Sequence, residues 1–203
     1  MRKVRNRLIL LAAGLVLSVP LASCGKSSQS GQASSSGEAL VGGPFQLVDQ
    51  DNHPVDQGLL KGKWSAVFFG YTYCPDVCPT TLQALAQAET KLGDKAKNLQ
   101  VVFISVDPER DTPAQLKTYL SIPAFPRNTI GLTGTPAQVA AAAKAYRVYY
   151  QADGQGEGYS VAHSSIVYLM NPAGKFATAL TDSQTPQEVA TQIGDAMAQG
   201  AKG

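Results

Sequence analysis

The sequence predicts an α/β domain: a central mixed sheet with helices on both faces and a hairpin added at its N-terminal side. Three observations predict it. Nearly continuous apolar runs, Trp64–Phe69 and Leu99–Val106, read as strands buried on both faces and alternate with helical patterns. A capping device, Thr-Pro-x-Gln/Glu, recurs at 112, 135 and 185 and marks three helix starts. The alternation then closes with two strands joined by Asn171-Pro-Ala-Gly174 and a last helix. The chain has 203 residues, 44% hydrophobic and 16% charged, which suits one domain of ordinary size with additions.

The N-terminus reads as an address. Residues 1–7 are basic, residues 8–22 are an apolar core, and Leu21-Ala22-Ser23-Cys24 resembles a bacterial lipobox. The apolar run is short of the roughly 20 residues that a spanning helix needs, and Gly14 and Pro20 interrupt it. Residues 1–23 are therefore expected to be a lipoprotein signal peptide, with Cys24 lipidated as the new N-terminus. Residues 24–41 follow as a lipid-anchored tether; its stretch 25–39 is rich in Ser, Gly, Gln and Ala and spans on the order of 20 Å as a random coil. This places residues 42–199, the folded domain, at a bacterial membrane and facing the periplasm or the cell exterior. Four of the cations lie in the acid-free leader, so the formal charge of +2 becomes −2 without it. No basic patch argues for nucleic acid.

The elements follow in order. Phe45–Val48 and Val55 flank the turn-rich cluster Asp49–Pro54 and read as a small hairpin; His53 in that turn is expected to be solvated. The strand 64–69 ends in Gly70 and two tyrosines, and a loop with two thiols, Cys74 and Cys78, leads into a helix from about Thr80 to Gly93. Pro79 suits a first helical position, because its missing N–H is an orphan there anyway. The strand 99–106 ends in the charged turn Asp107-Pro-Glu-Arg-Asp111. Helices start at 113, 136 and 186; Ile130–Leu132 is a short strand, and 164–170 and 175–180 are strands. Met170 and Met197 fall in core positions, and Tyr71, Tyr73, Tyr149 and Tyr150 in packing or rim positions. With thiols at the first strand–helix corner, this order looks like a thioredoxin-like fold. Crossover handedness then puts Cys74, Cys78 and the Asp107 turn on one edge.

Two thiols separated by three residues close a disulfide or hold a metal. The helix N-terminus favours thiolates, the species that bind soft metals. Structural zinc usually wants four protein ligands, and apart from Cys24 the mature chain offers two Cys and two His. Cu(I) accepts two thiolates and one imidazole. The candidate imidazole is His163, before a strand that lies opposite the thiol helix in such folds. Thioredoxins carry a cis-proline there; this chain has Ser164 and no Pro from 161 to 165.

Three stretches together closely resemble the Sco/SenC family: Tyr73-Cys74-Pro-Asp-Val-Cys78-Pro79, Ser105-Val-Asp107-Pro-Glu-Arg-Asp111-Thr112-Pro113, and His163 before Ser-Ser-Ile-Val-Tyr-Leu. The resemblance covers roughly residues 42–198. It implies a thioredoxin-like domain that binds copper, Cu(I) or Cu(II), through Cys74, Cys78 and His163. It implies a metallochaperone that assists assembly of the CuA site of cytochrome c oxidase, its partner being the subunit that carries that site or another copper acceptor. The family commonly has Asp directly before this His; Ala162 stands there here, and loss of a neighbour that orients a ligand can weaken metal affinity about 10–100-fold. Asp107 and its turn read first as a solvent-facing turn, with tuning of the thiols or of docking as the functional alternative. Two further functions share the scaffold. One is a thiol–disulfide oxidoreductase, with Cys74 and Cys78 as redox pair, that reduces a partner's copper-ligand cysteines. The other is a redox sensor or peroxidase.

Overall fold

The computed structural model describes residues 41–154, 156 and 158–200. The expected signal peptide, Cys24 and nearly all of the tether lie outside these residues. Among the described residues nine strands and four α-helices follow in order: β1 (Gln46–Asp49), β2 (Pro54–Asp56), β3 (Trp64–Gly70), α1 (Val77–Leu92), β4 (Leu99–Ser105), α2 (Pro113–Leu120), β5 (Thr129–Thr133), α3 (Pro136–Ala145), β6 (Tyr150–Asp153), β7 (Ser160–His163), β8 (Val167–Met170), β9 (Phe176–Leu180) and α4 (Pro186–Gly200). Seven strands form one sheet in the order β2-β1-β5-β4-β3-β8-β9. The centre, β3-β4-β5, is parallel, and β1 and β8 add to it antiparallel, so the sheet is mixed as expected.

β3 and β4 are buried along their whole length, which is why they read as unbroken apolar runs. Each Val, Ile or Phe buried there stabilises the fold by about 1.5–3 kcal/mol relative to exposure. Side chains alternate across the sheet. On one face Gly70 meets α1, and Gly131, paired with Phe103, meets Leu116 and Leu120 of α2. On the other, Phe69 packs on Tyr146 at the end of α3, with ring centroids 5.3 Å apart. Helices therefore cover both faces.

The Thr-Pro device behaves as its chemistry dictates. Thr135 and Gln138 exchange side-chain and backbone bonds at the start of α3, and Thr185 and Glu188 do so at α4. At α2 the Thr112 hydroxyl accepts from Gln115 N–H, but the Gln115 amide turns away and donates to Thr72 Oγ1 at 3.3 Å, in the thiol loop. α1 begins at Val77, earlier than Thr80, so Cys78 lies in its first turn. Pro79 then sits one turn position further in, still among the N–H groups that have no intrahelical partner.

Three segments differ from expectation. The strand expected over 164–170 begins only at Val167. An unforeseen hairpin, β6–β7, forms a separate two-stranded sheet, with Tyr150 opposite His163 and Asp153 opposite Ser160. The turn after β4 is not solvent-facing: Asp107 is 3% and Asp111 0% exposed. Their burial follows from internal neutralisation and hydrogen bonding. His53 is exposed, 3.2 Å from Asp49, and Met170 is fully buried, both as expected.

Candidate metal centre

The three chemistry-bearing side chains arrive from two directions. Cys74 and Cys78 follow the C-terminal end of β3, where the loop bends into α1. His163 ends β7, which the hairpin carries across to the same corner. Their ligand atoms all lie within 4.8 Å of one another, and Cys78 Sγ is 3.4 Å from His163 Nε2. Cys78 is fully buried, while Cys74 and His163 are half-buried and form the open side of the corner.

The helix start is built around sulfur. Asp76, at the N-cap position of α1, makes no side-chain cap bond. Instead Cys78 N–H donates to Cys74 Sγ at 3.4 Å. The sulfur takes the place of a capping oxygen and gains the field of the helix N-terminus. A hydrogen bond from the Cys78 thiol and the backbone N–H groups of Asp76 and Cys78 hold the Cys74 thiol down to about 4, against the opposing effect of burial. Sharing a proton with Cys74, and burial, push Cys78 far above its ordinary value. The reduced pair is therefore one half-buried thiolate beside one buried thiol.

His163 is oriented by the backbone and by rings. Its Nδ1 lies 3.0 Å from the carbonyl oxygen of Ser164, which can only accept, so Nδ1 carries the hydrogen. Nε2 is left with its lone pair facing Cys78, the tautomer a metal ligand needs. Tyr71 meets the imidazole edge-on at 5.8 Å and Phe68 at 6.2 Å. Ala162 is exposed and points to the opposite side of β7 from His163. The imidazole thus keeps its tautomer and position without a carboxylate at 162.

Beneath the thiols, close approach and buried charge fix the floor. A Cβ on Gly70 would lie 2.7 Å from Cys78 Sγ and 2.9 Å from Phe103, so only glycine lets β3 end against the helix start. Asp111 accepts from Thr72 N–H at 3.0 Å, Thr72 Oγ1–H at 2.6 Å and Ser105 Oγ–H at 2.7 Å. That carboxylate ties the thiol loop to the end of β4. Burial holds its pKa above the usual range, against those three donors. Asp107 makes no direct contact with the thiols; it accepts from Arg110 Nε at 2.5 Å and from the Tyr159 hydroxyl at 2.5 Å. Tyr159 is the supporting residue that sequence reasoning missed, and Arg110 and Asp111 are the ones it read first as part of a solvent-facing turn. The one signal was that Asp107-Pro-Glu-Arg-Asp111 directly follows a fully apolar strand, where buried charges have to pair.

Chemically, the corner offers two sulfurs and one imidazole nitrogen, a soft three-donor set. Together, fold and corner define a thioredoxin-like domain whose thiol pair is joined by a histidine suited to a soft metal. The chain belongs to the SCO1/SenC family, whose profile matches residues 33–198. It is 43% identical over 144 residues to the Arabidopsis thaliana protein SCO1 homolog 1, mitochondrial, covering 70% of this chain and 42% of that one. It therefore spans less than half the length of that relative. Among solved structures it is similar to Bradyrhizobium japonicum ScoI with copper bound, at a TM-score of 0.69 and 43% identity, covering 77% of this chain and 99% of that one. A more distant likeness is to BsSco, described as having a disulfide switch and as a member of the Sco family of cytochrome c oxidase assembly proteins. There the TM-score is 0.62 and the identity 25%, covering 78% of this chain and 95% of that one.

Proposed function

We propose that the protein is a copper metallochaperone that assists assembly of the CuA site of cytochrome c oxidase, with Cys74, Cys78 and His163 as the copper ligands. The carrying observation is the convergence of those three ligand atoms within 4.8 Å, with Nε2 of His163 aimed at Cys78. The preformed tautomer and the low-lying Cys74 thiol support it, as does a copper-bound relative of the same fold. Copper is cargo here. Two thiolates favour Cu(I), and the imidazole adds a donor that also suits Cu(II). The half-buried side of Cys74 and His163 is where an acceptor's ligands would approach.

The lipobox-like ending at Cys24 and the Ser/Gly-rich stretch after it support an exported, lipid-anchored form on a bacterial membrane, with residues 42–199 facing the periplasm or exterior. Among the described residues no helix is long and apolar enough to cross a membrane.

A second function, reduction of an acceptor's copper-ligand cysteines, is favoured by the half-buried, accessible Cys74 thiolate beside a buried thiol. Attack by Cys74 on a partner disulfide would form a mixed disulfide. Cys78 would then displace the partner thiolate and close Cys74–Cys78, oxidising this pair as the partner's two thiols are reduced.

The deciding experiment is a copper titration of the reduced protein, wild type beside His163→Ala, with thiol counting. Tight one-to-one binding that needs His163 supports the metallochaperone. Weak binding indifferent to His163, with a readily cycled Cys74–Cys78 disulfide, overturns it in favour of the reductase.

A further inference from the structure

The histidine and the cysteines sit on parts of the fold that share no sheet. β6 and β7 pair only with each other, and none of the seven strands of the main sheet bonds to them. An isolated two-stranded hairpin is marginally stable at best in water. The position of His163 therefore depends on what holds the hairpin down.

One charged side chain joins the pieces, alongside the Phe68 and Tyr71 rings that meet His163. Arg110, in the turn after β4, donates from Nε to Asp107 Oδ2 at 2.5 Å and from Nη1 to the carbonyl of Tyr159 at 2.9 Å. Its guanidinium carbon lies 3.6 Å from the centroid of the Tyr159 ring, 4.8 Å from that of Tyr73 and 5.8 Å from that of Tyr71. The Tyr159 hydroxyl closes the triangle by donating to Asp107 Oδ1 at 2.5 Å. Tyr159 directly precedes β7, and Tyr73 directly precedes Cys74. The Arg110 fork thus holds the hairpin twice, by a carbonyl and a ring, and touches the thiol loop on its other side. From Tyr159 the strand runs four residues to His163, a lever of about 13 Å at the usual rise per residue. A small rotation at the clamp becomes a displacement of Nε2 comparable with its distance from Cys78.

We infer that Arg110, with Asp107 and Tyr159, is a positioning group for the metal site: beside the rings that orient the imidazole, it locks the His163 hairpin against the cysteine loop, and so tunes copper affinity without touching the metal. This rests on the three-ligand assignment made above. Lysine cannot replace it, because an ammonium has neither the planar fork nor the flat face that lies on Tyr159.

The test combines copper affinity with hydrogen exchange of the metal-free protein. Wild type, Arg110→Ala, Arg110→Lys, Tyr159→Phe and His163→Ala are compared, with each clamp variant also made in the His163→Ala background. Both Arg110 variants are expected to bind copper on the order of tenfold more weakly, with Tyr159→Phe intermediate. In the His163→Ala background none of them is expected to weaken binding further. In the metal-free protein the β6–β7 amides should exchange faster in the clamp variants while those of β3 and β4 keep their protection. Wild-type affinity in Arg110→Lys and Tyr159→Phe overturns the inference, and so does an equal loss with and without His163. Should Arg110→Ala fail to fold, Tyr159→Phe and Arg110→Lys decide. If His163→Ala alone leaves affinity unchanged, the three-ligand assignment falls; unchanged hairpin exchange shows instead that the clamp fails.

Discussion

Removing the Asp111 carboxylate should loosen the thiol loop at a cost that the structure sets. The residue is fully buried and accepts three hydrogen bonds, two from Thr72 and one from Ser105. In Asp111→Ala the backbone N–H of Thr72 cannot turn to another acceptor, and leaving it unpaired costs ~1–3 kcal/mol. The two hydroxyls each lose a charge-assisted bond of ~1.5–3 kcal/mol and recover part of it by rotating toward water or carbonyl oxygens. Relief of the buried charge offsets some of the loss, since desolvation opposes the ionised form here. The balance is a destabilisation of about 3–5 kcal/mol, in the range for breaking a buried charged network. Asp111→Asn keeps an oxygen for the fixed Thr72 N–H, and Thr72 Oγ1 can accept from the new amide, so about 1–2 kcal/mol is expected. Urea unfolding of the reduced, metal-free protein measures both, provided the slope is unchanged. A loss below about 1.5 kcal/mol for Asp111→Ala, or equal losses for Ala and Asn, would refute the claim that this carboxylate anchors the loop.

Three further outcomes follow from other contacts. Gly70→Ala puts a methyl 2.7 Å from Cys78 Sγ and should cost about 1–3 kcal/mol by overpacking, with weaker copper binding as the sulfur shifts from His163; wild-type values for both would contradict the packing argument. Ala162→Asp should change copper affinity less than about threefold, because the side chain at 162 points away from the imidazole; a gain near the 10–100-fold of a true orienting partner would show that the Ser164 carbonyl is not enough. Burial pushes the Glu89 carboxyl up to about 7, so its contribution to stability is fully present below the unfolded value near 4.3 and is lost as pH rises through 7. Glu89→Gln should therefore match wild type near pH 4 and exceed it at pH 8 by about 1 kcal/mol, after discounting for the partial exposure of the group. Parallel stability curves for the two proteins across that range would disprove it.

The helix starts were legible because their cause is local. Thr, Pro and Gln or Glu within four residues contain the whole capping geometry, and α2, α3 and α4 begin at 113, 136 and 186 as that geometry requires. β3 and β4 were legible because burial on both faces leaves no polar position to interrupt the run. The β6–β7 hairpin was not. Most of its residues are exposed, so no apolar alternation marks it, and side chains about 50 residues away in sequence hold it in place. The charged turn misled for a related reason. Asp107, Arg110 and Asp111 look like solvent-facing charge until Tyr159, Thr72 and Ser105 are brought to them, and only the tertiary fold does that.

The cysteines could be placed from sequence because both lie at one strand–helix corner, Cys74 in the loop and Cys78 in the first turn of α1. His163 is 85 residues from Cys78, and its role rested on its place before a strand opposite the thiol helix and on resemblance until the geometry supplied the 3.4 Å contact. Ala162 shows why sequence proximity misleads at this site. A residue next to a ligand in a strand is its neighbour along the chain but faces the other way. What orients the imidazole is a backbone carbonyl one residue on, with aromatic rings from β3 and the thiol loop around it. No substitution at 162 removes the carbonyl, and the rings belong to β3 and the thiol loop that follows it. The histidine's aim is thus tied to the cysteine side of the site itself, and metal affinity should follow changes at Phe68 and Tyr71 more closely than changes at 162.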